Sequence, residues 1–529
     1  MSSTTTELET LAGPRLARHA PAPANDTPEA NTTAGEATAA PAAPSRSRAA
    51  ALTATLACVT FLNTFNSGAL TVALPAVARD LALPAHLVLW PAAVFALALC
   101  CALPALGAAA DVVGSRAALL AGWLLLGGAA LATALARRAP QLLAARAAAG
   151  VATAFCIPAA VRAVTAAFPA GRPRNLAFAA FGAGYPLGGA LGLVLGGVLT
   201  NGPGWRVAFH LAAAASAAAF ALAWFTLPPA PPAPLADLAR RLAREIDWVG
   251  VAAATACLAS LSYVFAEAAH GGAAALSRAP SAALLAVAAA LVPFFGFWVG
   301  RQERLGRPAA LPNSVWRRGE FAATCATVFL AWAWFNAFNY WAALLFQTVQ
   351  GLDALEAALR FLPMVASGVL ANAAAGLAVE RVPAGALVLG SGALSAGAPL
   401  LLAVQRPEWT YWAAGFPAMC LSVLSTDLLF SISSLIITSS FPAKDQALAG
   451  SVFNTVAQLG NSVGLAITAI IASAVTESAA AGPGAETTHA TLEGYRSAFW
   501  ACFASAALSA VIGSIGLRKA GKVGMKKDV

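Results

Sequence analysis

The chain has 529 residues, of which 59% are hydrophobic and only 10% charged, with a mean hydropathy of +0.72. A soluble domain is roughly a quarter charged, so the composition excludes a soluble globular protein and predicts a polytopic membrane protein. The formal net charge of +9 does not point to nucleic acid: the basic residues collect between apolar runs and in the C-terminal GLRKAGKVGMKKDV, and no basic patch is interleaved with aromatics.

Residues 1–47 are rich in Ala, Pro, Thr, Ser and Glu without apolar periodicity, the composition of a disordered tail. Two glycosylation sequons lie in it, Asn25-Asp26-Thr27 and Asn31-Thr32-Thr33. No cleavable signal peptide is expected, and the first apolar run, from about residue 50, is expected to act as the signal anchor. Continuous apolar runs then predict an all-α protein of about fourteen transmembrane helices rather than a barrel. The spans are 51–74, 88–110, 117–136, 142–166, 175–200, 206–227, 248–268, 281–300, 321–346, 355–377, 384–404, 409–436, 446–474 and 496–517. After the sixth, PPAPPAPLADLARRLAREIDW opposes a Leu/Ala face to three arginines, as a short interfacial helix would.

An even number of spans puts both termini on one side. With that side cytosolic, about 23 of the 32 Lys and Arg fall inside and about 8 outside, the bias of the positive-inside rule. The sequons are then cytosolic and unused. NTFN at 63–66 reappears as NAFN at 336–339, and GAAAD at 107–111 as GLAVE at 376–380. The two offsets are nearly equal, which indicates duplication. The expected organisation is a cytosolic tail (1–47), an N-terminal six-helix half (48–228), a linker with two additional helices (229–319), a C-terminal six-helix half (320–518) and a basic cytosolic tail (519–529). Halves repeated in this way meet around a midplane site and rock to give alternating access.

Candidate residues follow the same order. Asn63 with Asn66 and Asn336 with Asn339 each share a helix face at spacing three. Aromatics including Trp332, Trp334 and Tyr340 surround the second pair. Amides beside aromatics suit a cavity for bulky amphipathic organic molecules; an interfacial aromatic belt is the alternative. Asn454, Gln458 and Asn461 form a third polar face. The interruption LGAAADVVGSRAALLAG places Gly107, Asp111, Gly114 and Arg116 between spans two and three, and Gly376 with Glu380 is its repeat counterpart. A tight polar turn explains these residues without further function. Arg146 lies within span four, where its charge requires a partner, a wet cavity or snorkelling. Gly184, Gly188, Gly192 and Gly196 make a stripe of spacing four on which a neighbouring helix can pack closely. Asp427 is an acid well inside an apolar run: a candidate proton carrier, or a hydrogen-bonding group for a neighbouring helix.

The eight cysteines lie in apolar runs without metal-ligand spacing, as small buried hydrophobes. No nucleotide-binding loop, metal cluster or nucleophile–base pair stands out. The expectation is therefore a non-enzyme without a cofactor, metal or nucleic-acid partner.

Gly107-x3-Asp111-x2-Gly114-x-Arg116 resembles the signature loop of the major facilitator superfamily. The resemblance extends over roughly 50–517 and is closest to the fungal fourteen-span drug:proton antiporters, through LTVALP (70–75), Trp90-Pro91, GWRVAF (204–209), FQTVQG (346–351), FLP (361–363) and the Asp427 helix. It implies a gate at the Asp111 loop and a coupling or substrate role for Arg146. It also implies an antiporter motif at 192–197 ending in Gly196-Gly197, where Leu193 replaces the usual proline, while Asn66 stands where many members carry an Asp. By the same resemblance the chain exports a small organic molecule, a toxin, drug or secondary metabolite, on the proton gradient, as a monomer in the lipid bilayer of the plasma membrane. Import of a metabolite or inorganic anion, and a non-transporting sensor of the same fold, remain alternatives.

Overall fold

The computed structural model describes residues 45–518, apart from 85–86, 88–89, 170, 229–233, 311–312, 318, 379–380, 407, 441–445 and 481–486. The sequons, nearly all of the predicted N-terminal tail and the predicted basic tail 519–529 lie outside the described residues. Helix α1 (Arg46–Asp80) already contains Arg46 and Ser47, so the helix starts inside the segment expected to be tail. α2 (Trp90–Val113) follows, and Gly114 separates it from α3 (Ser115–Leu135). The φ of +94° at Gly114 is open to glycine at little cost. α4 (Ala139–Ala167) and α5 (Arg172–Asn201) each carry a proline in the first helical positions, where its missing N–H leaves nothing unbonded. α6 (Arg206–Thr226) completes six spans.

The short α7 (Leu235–Glu245) occupies the place of the expected interfacial helix. Its arginines are exposed, and Arg241 pairs with Glu245 at 2.8 Å. α8 (Trp248–Leu276) and α9 (Ala279–Arg304) are the additional pair. The buried Asp247 fixes them: its Oδ1 accepts the Gly250 N–H (2.9 Å) and the Trp298 indole N–H (2.9 Å), and its Oδ2 accepts the Ala310 N–H (3.2 Å). The single turn α10 (Asn313–Trp316) leads to α11 (Gly319–Leu344), which ends in a π-helical turn over Leu345–Val349. α12 (Ala354–Arg360) and α13 (Leu362–Ala378) supply the tenth span, followed by α14 (Ala384–Val404). The predicted span 409–436 begins later than expected, at α15 (Gly415–Ser422), and breaks at Val423 before α16 (Leu424–Ser440). α17 (Gln446–Ala480) and α18 (Thr487–Gly516) end the bundle. Fourteen segments are long and apolar enough to cross a membrane, and no strand occurs among the described residues.

α1 packs along α5, α2 along α4, and α3 against α4 and α6. In the second set α11 packs along α17 and α18, and α14 along α18. The sets meet where α5 touches α13 and α16 and where α2 and α4 touch α17; α8 lies on both α2 and α17. The stripe on α5 faces α1 at backbone contact. A Cβ on Gly184 would lie 2.1 Å from Thr60 Oγ1, on Gly188 2.1 Å from the Phe61 carbonyl oxygen, on Gly192 2.4 Å from that of Phe65, and on Gly196 2.7 Å from Ala69 Cα. At this separation Thr60 Oγ1 donates to the Phe181 carbonyl (2.5 Å) and Thr64 Oγ1 to that of Tyr185 (2.9 Å). A second stripe, not singled out from the sequence, does the same on α17: a Cβ on Gly460 would lie 2.3 Å from the Phe329 carbonyl oxygen and on Gly464 2.2 Å from that of Ala333, both on α11.

Replacing Gly188 by Ala should therefore lower the thermal stability of the detergent-solubilised protein by the about 1–3 kcal/mol typical of overpacking. Gly189→Ala should be close to neutral, because a Cβ there meets its nearest atom at 4.0 Å. Equal responses in thermal unfolding would show that backbone approach does not limit this interface.

Candidate functional site

The segment expected to be a loop between spans two and three is nearly all helix. Gly107 and Asp111 belong to α2, Arg116 to the first turn of α3, and Gly114 alone breaks the helix. The correction has a simple cause: with a glycine of positive φ, one residue suffices to turn the chain. Arg162 of α4, which the sequence did not single out, donates from Nη1 to Asp111 Oδ1 (2.8 Å) and to the Asp111 carbonyl oxygen (2.6 Å). That pair joins α2 to α4 within the first set. Arg116 instead donates to the Trp224 carbonyl (3.0 Å) and stacks over the Trp224 ring, joining α3 to the end of α6. Gly376 lies near the end of α13; Glu380 is outside the described residues.

Arg146 does not snorkel. It is 1% exposed, its Nε donates to the Pro91 carbonyl at 3.2 Å, and its guanidinium lies over the Phe95 ring at 4.7 Å. Its partners are thus a carbonyl and a π face on α2, the inexpensive ones for a cation held in a helical bundle.

Asp427 sits in the first turn of α16, buried at the seam between the sets. Gly368 of α13 and Pro186 of α5 close over it: a Cβ on Gly368 would lie 2.9 Å from Asp427 Oδ2 and 2.9 Å from Pro186 Cβ. The Asn372 side chain approaches the carboxyl, and its Nδ2 donates to the Gly368 carbonyl at 3.0 Å. Gly182 on α5 leaves room for this amide, since a Cβ there would lie 2.3 Å from Asn372 Oδ1. Neither Asp427 Oδ2 nor Asn372 Oδ1 has a hydrogen-bond partner among the described residues. One turn along α16, Phe430 meets Tyr185 edge-on (5.2 Å), Phe181 (5.6 Å), Phe453 (5.7 Å) and Trp332 (6.5 Å). Four helices, α5, α11, α16 and α17, therefore place aromatic rings beside one buried carboxyl. Buried polar atoms without partners mark places where a ligand, proton or water completes the bonding.

The predicted amides are only partly brought together. Asn336 Nδ2 reaches the Asn461 carbonyl at 3.5 Å, and Asn461 Nδ2 donates to Gln458 Oε1 at 3.2 Å, so α11 and α17 share a polar strip. Asn66, Asn339 and Asn454 donate to carbonyls four residues back on their own helices (Leu62, Phe335 and Gly450), and Asn63 is buried. Trp334 is a correction: it is 2% exposed and packs on Phe338 in the interior of the second set. Its position on α11 is nearly opposite Asn336 and Asn339, so it cannot share their cavity. Tyr340 is partly exposed, edge-on to Trp341. Gly197 lies beside the stripe, between Val72 of α1 and Leu355 of α12.

Two six-helix sets, an inserted pair, and a buried carboxyl with an orphaned amide oxygen beside it at their seam are the architecture of a polytopic membrane transporter. Residues 56–465 match the Major Facilitator Superfamily, and the chain belongs to that family. It is similar to MFS-type transporter 1 of Pyricularia oryzae, 42% identical over 91% of this chain and 85% of that one. It also resembles the major facilitator superfamily multidrug transporter mfsC of Aspergillus fumigatus, at 27% identity over 84% and 82%. Among solved structures, the human organic anion transporter MFSD10 (TETRAN) shares the fold with a TM-score of 0.60 at 15% identity, over 89% of this chain and all of that one.

Asp111→Ala and Arg162→Ala should each cost about 1–3 kcal/mol of stability, the range for a charged hydrogen bond. The double variant should cost less than the sum of the two, because the Oδ1 contact is lost in both single variants. Thermal unfolding of the four proteins measures this; additive losses would show that the two side chains act separately.

Proposed function

We propose that the protein exports a small organic molecule, a toxin, drug or secondary metabolite, in exchange for protons. The observation that supports this most directly is Asp427: a buried carboxyl at the seam of the two sets, with one oxygen unpartnered among the described residues. A carboxyl placed there can hold a proton while the seam is closed and release it when the sets part and water enters. Asn66 cannot take that part, because an amide does not titrate. The rings of Phe430, Tyr185 and Trp332 beside the carboxyl, together with the amide strip of Asn336, Gln458 and Asn461, suit an amphipathic substrate with an apolar body. Arg146, held on α2, acts in this scheme through the placement of α2 against α4. The Asp111–Arg162 pair fixes the same two helices nearer the face that carries residues 46 and 516, and releasing it lets the gate move. That face is cytosolic in the proposed orientation, the protein works as a monomer in the plasma membrane, and the proton gradient takes the place of a cofactor.

Vesicles carrying the protein, an imposed pH gradient and a fluorescent amphipathic dye test the proposal. Dye movement should follow the gradient and collapse with a protonophore. Asp427→Asn, which keeps the shape of the side chain, should retain folding by gel filtration and lose at least about tenfold in gradient-driven transport. Unchanged gradient dependence in that variant would reject the proton role of Asp427, and dye movement into the wrong compartment would reject export.

A further inference from the structure

We propose that the second six-helix set carries a separate binding site, on the face opposite residues 46 and 516, for a small organic anion that also bears a hydroxyl or amine donor. A cavity of about 340 Å³ opens there between the π-helical turn, Arg360 at the end of α12, Gln405, Arg406 and Trp409 to Tyr411 after α14, and Leu492 on α18. Its volume lies at the compact end of the range for small-molecule sites. The π-helical turn widens the end of α11, and both Leu345 and Val349 line the cavity; such turns recur at functional sites.

Two guanidinium groups reach this cavity. Arg360 is rigidly held: it lies over the rings of Phe346 (5.5 Å) and Tyr411 (5.0 Å), donates to Gln350, and its carbonyl oxygen accepts from the Tyr411 hydroxyl at 2.7 Å. Arg406 stands exposed on the rim. Neither is within ion-pair distance of a carboxylate among the described residues. Of the nearby acids, Asp353 caps α12 by accepting the Glu356 N–H at 2.6 Å and Glu493 pairs with Arg496 at 2.7 Å, while Glu356 and Glu408 are exposed to solvent. In the orientation set by the charge bias, only about 8 basic residues face this side, yet Arg360, Arg406 and Arg496 gather around this corner. Arg278 and Arg206, on the same side, are paired with Glu267 and Asp80.

A purely cationic hollow would accept any anion; Gln405 makes the site more selective. The residue is 6% exposed and lines the cavity, while its Oε1 has no hydrogen-bond partner among the described residues. Its main-chain oxygen is bonded separately, accepting from Arg496 Nη2 at 2.6 Å. A buried acceptor without a donor is costly, and a ligand that brings a hydroxyl or amine removes that cost. Carboxylate or phosphate oxygens would meet the two guanidinium groups, the donor would meet Gln405, and the faces of Trp409 and Tyr411 would cover an apolar body. The residues are distinct from those around Asp427, so the site stands or falls independently of the proton role.

The probe is 4-hydroxybenzoate, titrated into full-length protein in phosphatidylcholine nanodiscs by calorimetry. Saturable binding is expected, benzoate should bind about tenfold more weakly for want of the donor, and 4-hydroxybenzylamine should not bind. Arg406→Gln and Arg360→Gln should each weaken 4-hydroxybenzoate about tenfold or more, Gln405→Leu should abolish its advantage over benzoate, and Asp427→Asn should leave binding unchanged. If Arg360→Gln unfolds, Arg406→Gln, at an exposed residue, and Gln405→Leu carry the test. Repeating the titration in phosphatidylglycerol nanodiscs separates two sources of the same chemistry. Competition there identifies a lipid headgroup as occupant, and undiminished binding identifies a soluble anion. Absence of saturable binding, equal binding of the amine, or undiminished affinity in the Arg360→Gln/Arg406→Gln double variant would overturn the proposal.

Discussion

Between helices surrounded by lipid, burial of apolar surface supplies no net drive, since the tails are as apolar as the side chains. What remains is contact, and contact between two helices is deepest where their main chains touch. Here α5 meets α1 with carbonyl oxygens occupying the space that Cβ atoms would need, and α17 meets α11 in the same way. Those two pairs form the spine of the two six-helix sets. The interval from Gly188 to Gly460 and from Gly192 to Gly464, about 272 residues in both cases, matches the spacing of the duplicated Asn pairs, so the repeated element is this backbone contact as much as any polar motif. Because α5 also borders α13 and α16, the position of the Asp427 seam is inherited from the α1–α5 contact: Gly182, Pro186 and Tyr185 reach it from the same helix that the stripe anchors.

Hydropathy made the fourteen spans legible, since crossing a bilayer requires a run of fixed length. The first glycine stripe was equally legible, because spacing four on a helix is one face. The second was less visible: Gly460 and Gly464 lie among Gln458, Asn461 and Ser462, whose polar face is the stronger pattern in that stretch. Arg162 could not be assigned to Asp111 from the sequence, because the two are 51 residues apart and nothing local fixes how deeply α4 descends along α2. The aromatic cluster at Phe430 was hidden for a related reason. Its members come from four helices, and only Trp332 belonged to a stretch conspicuous for aromatics. That stretch also misled: on a helix, neighbours in sequence diverge by about 100°, so Trp332 reaches the seam while Trp334 fills the interior of its own set.

The two arginines on α4 show how similar residues acquire different settings. Arg146 is enclosed by α2 with a carbonyl and a ring as partners, whereas Arg162, four turns further along the helix, is partly exposed and paired with a carboxylate. Both bind α4 to α2, one in the apolar interior and one near the membrane surface. The same helix pair is thus fastened at two depths by charged groups of different settings.

The three N–H groups gathered on Asp247 have a bearing on how freely the two sets can separate. Because Gly250, Trp298 and Ala310 all bond to one side chain, the chain leaves that carboxylate, crosses the membrane twice and returns to it. The covalent path between α6 and α11 is thereby cut to its two short flanks, with α8 and α9 forming a closed side loop. A flexible tether lets its ends wander with the square root of its length, and shortening it raises the local concentration of each end around the other. Asp247 is the clasp on that tether: it shortens the chain between the two sets without any added attraction between their faces.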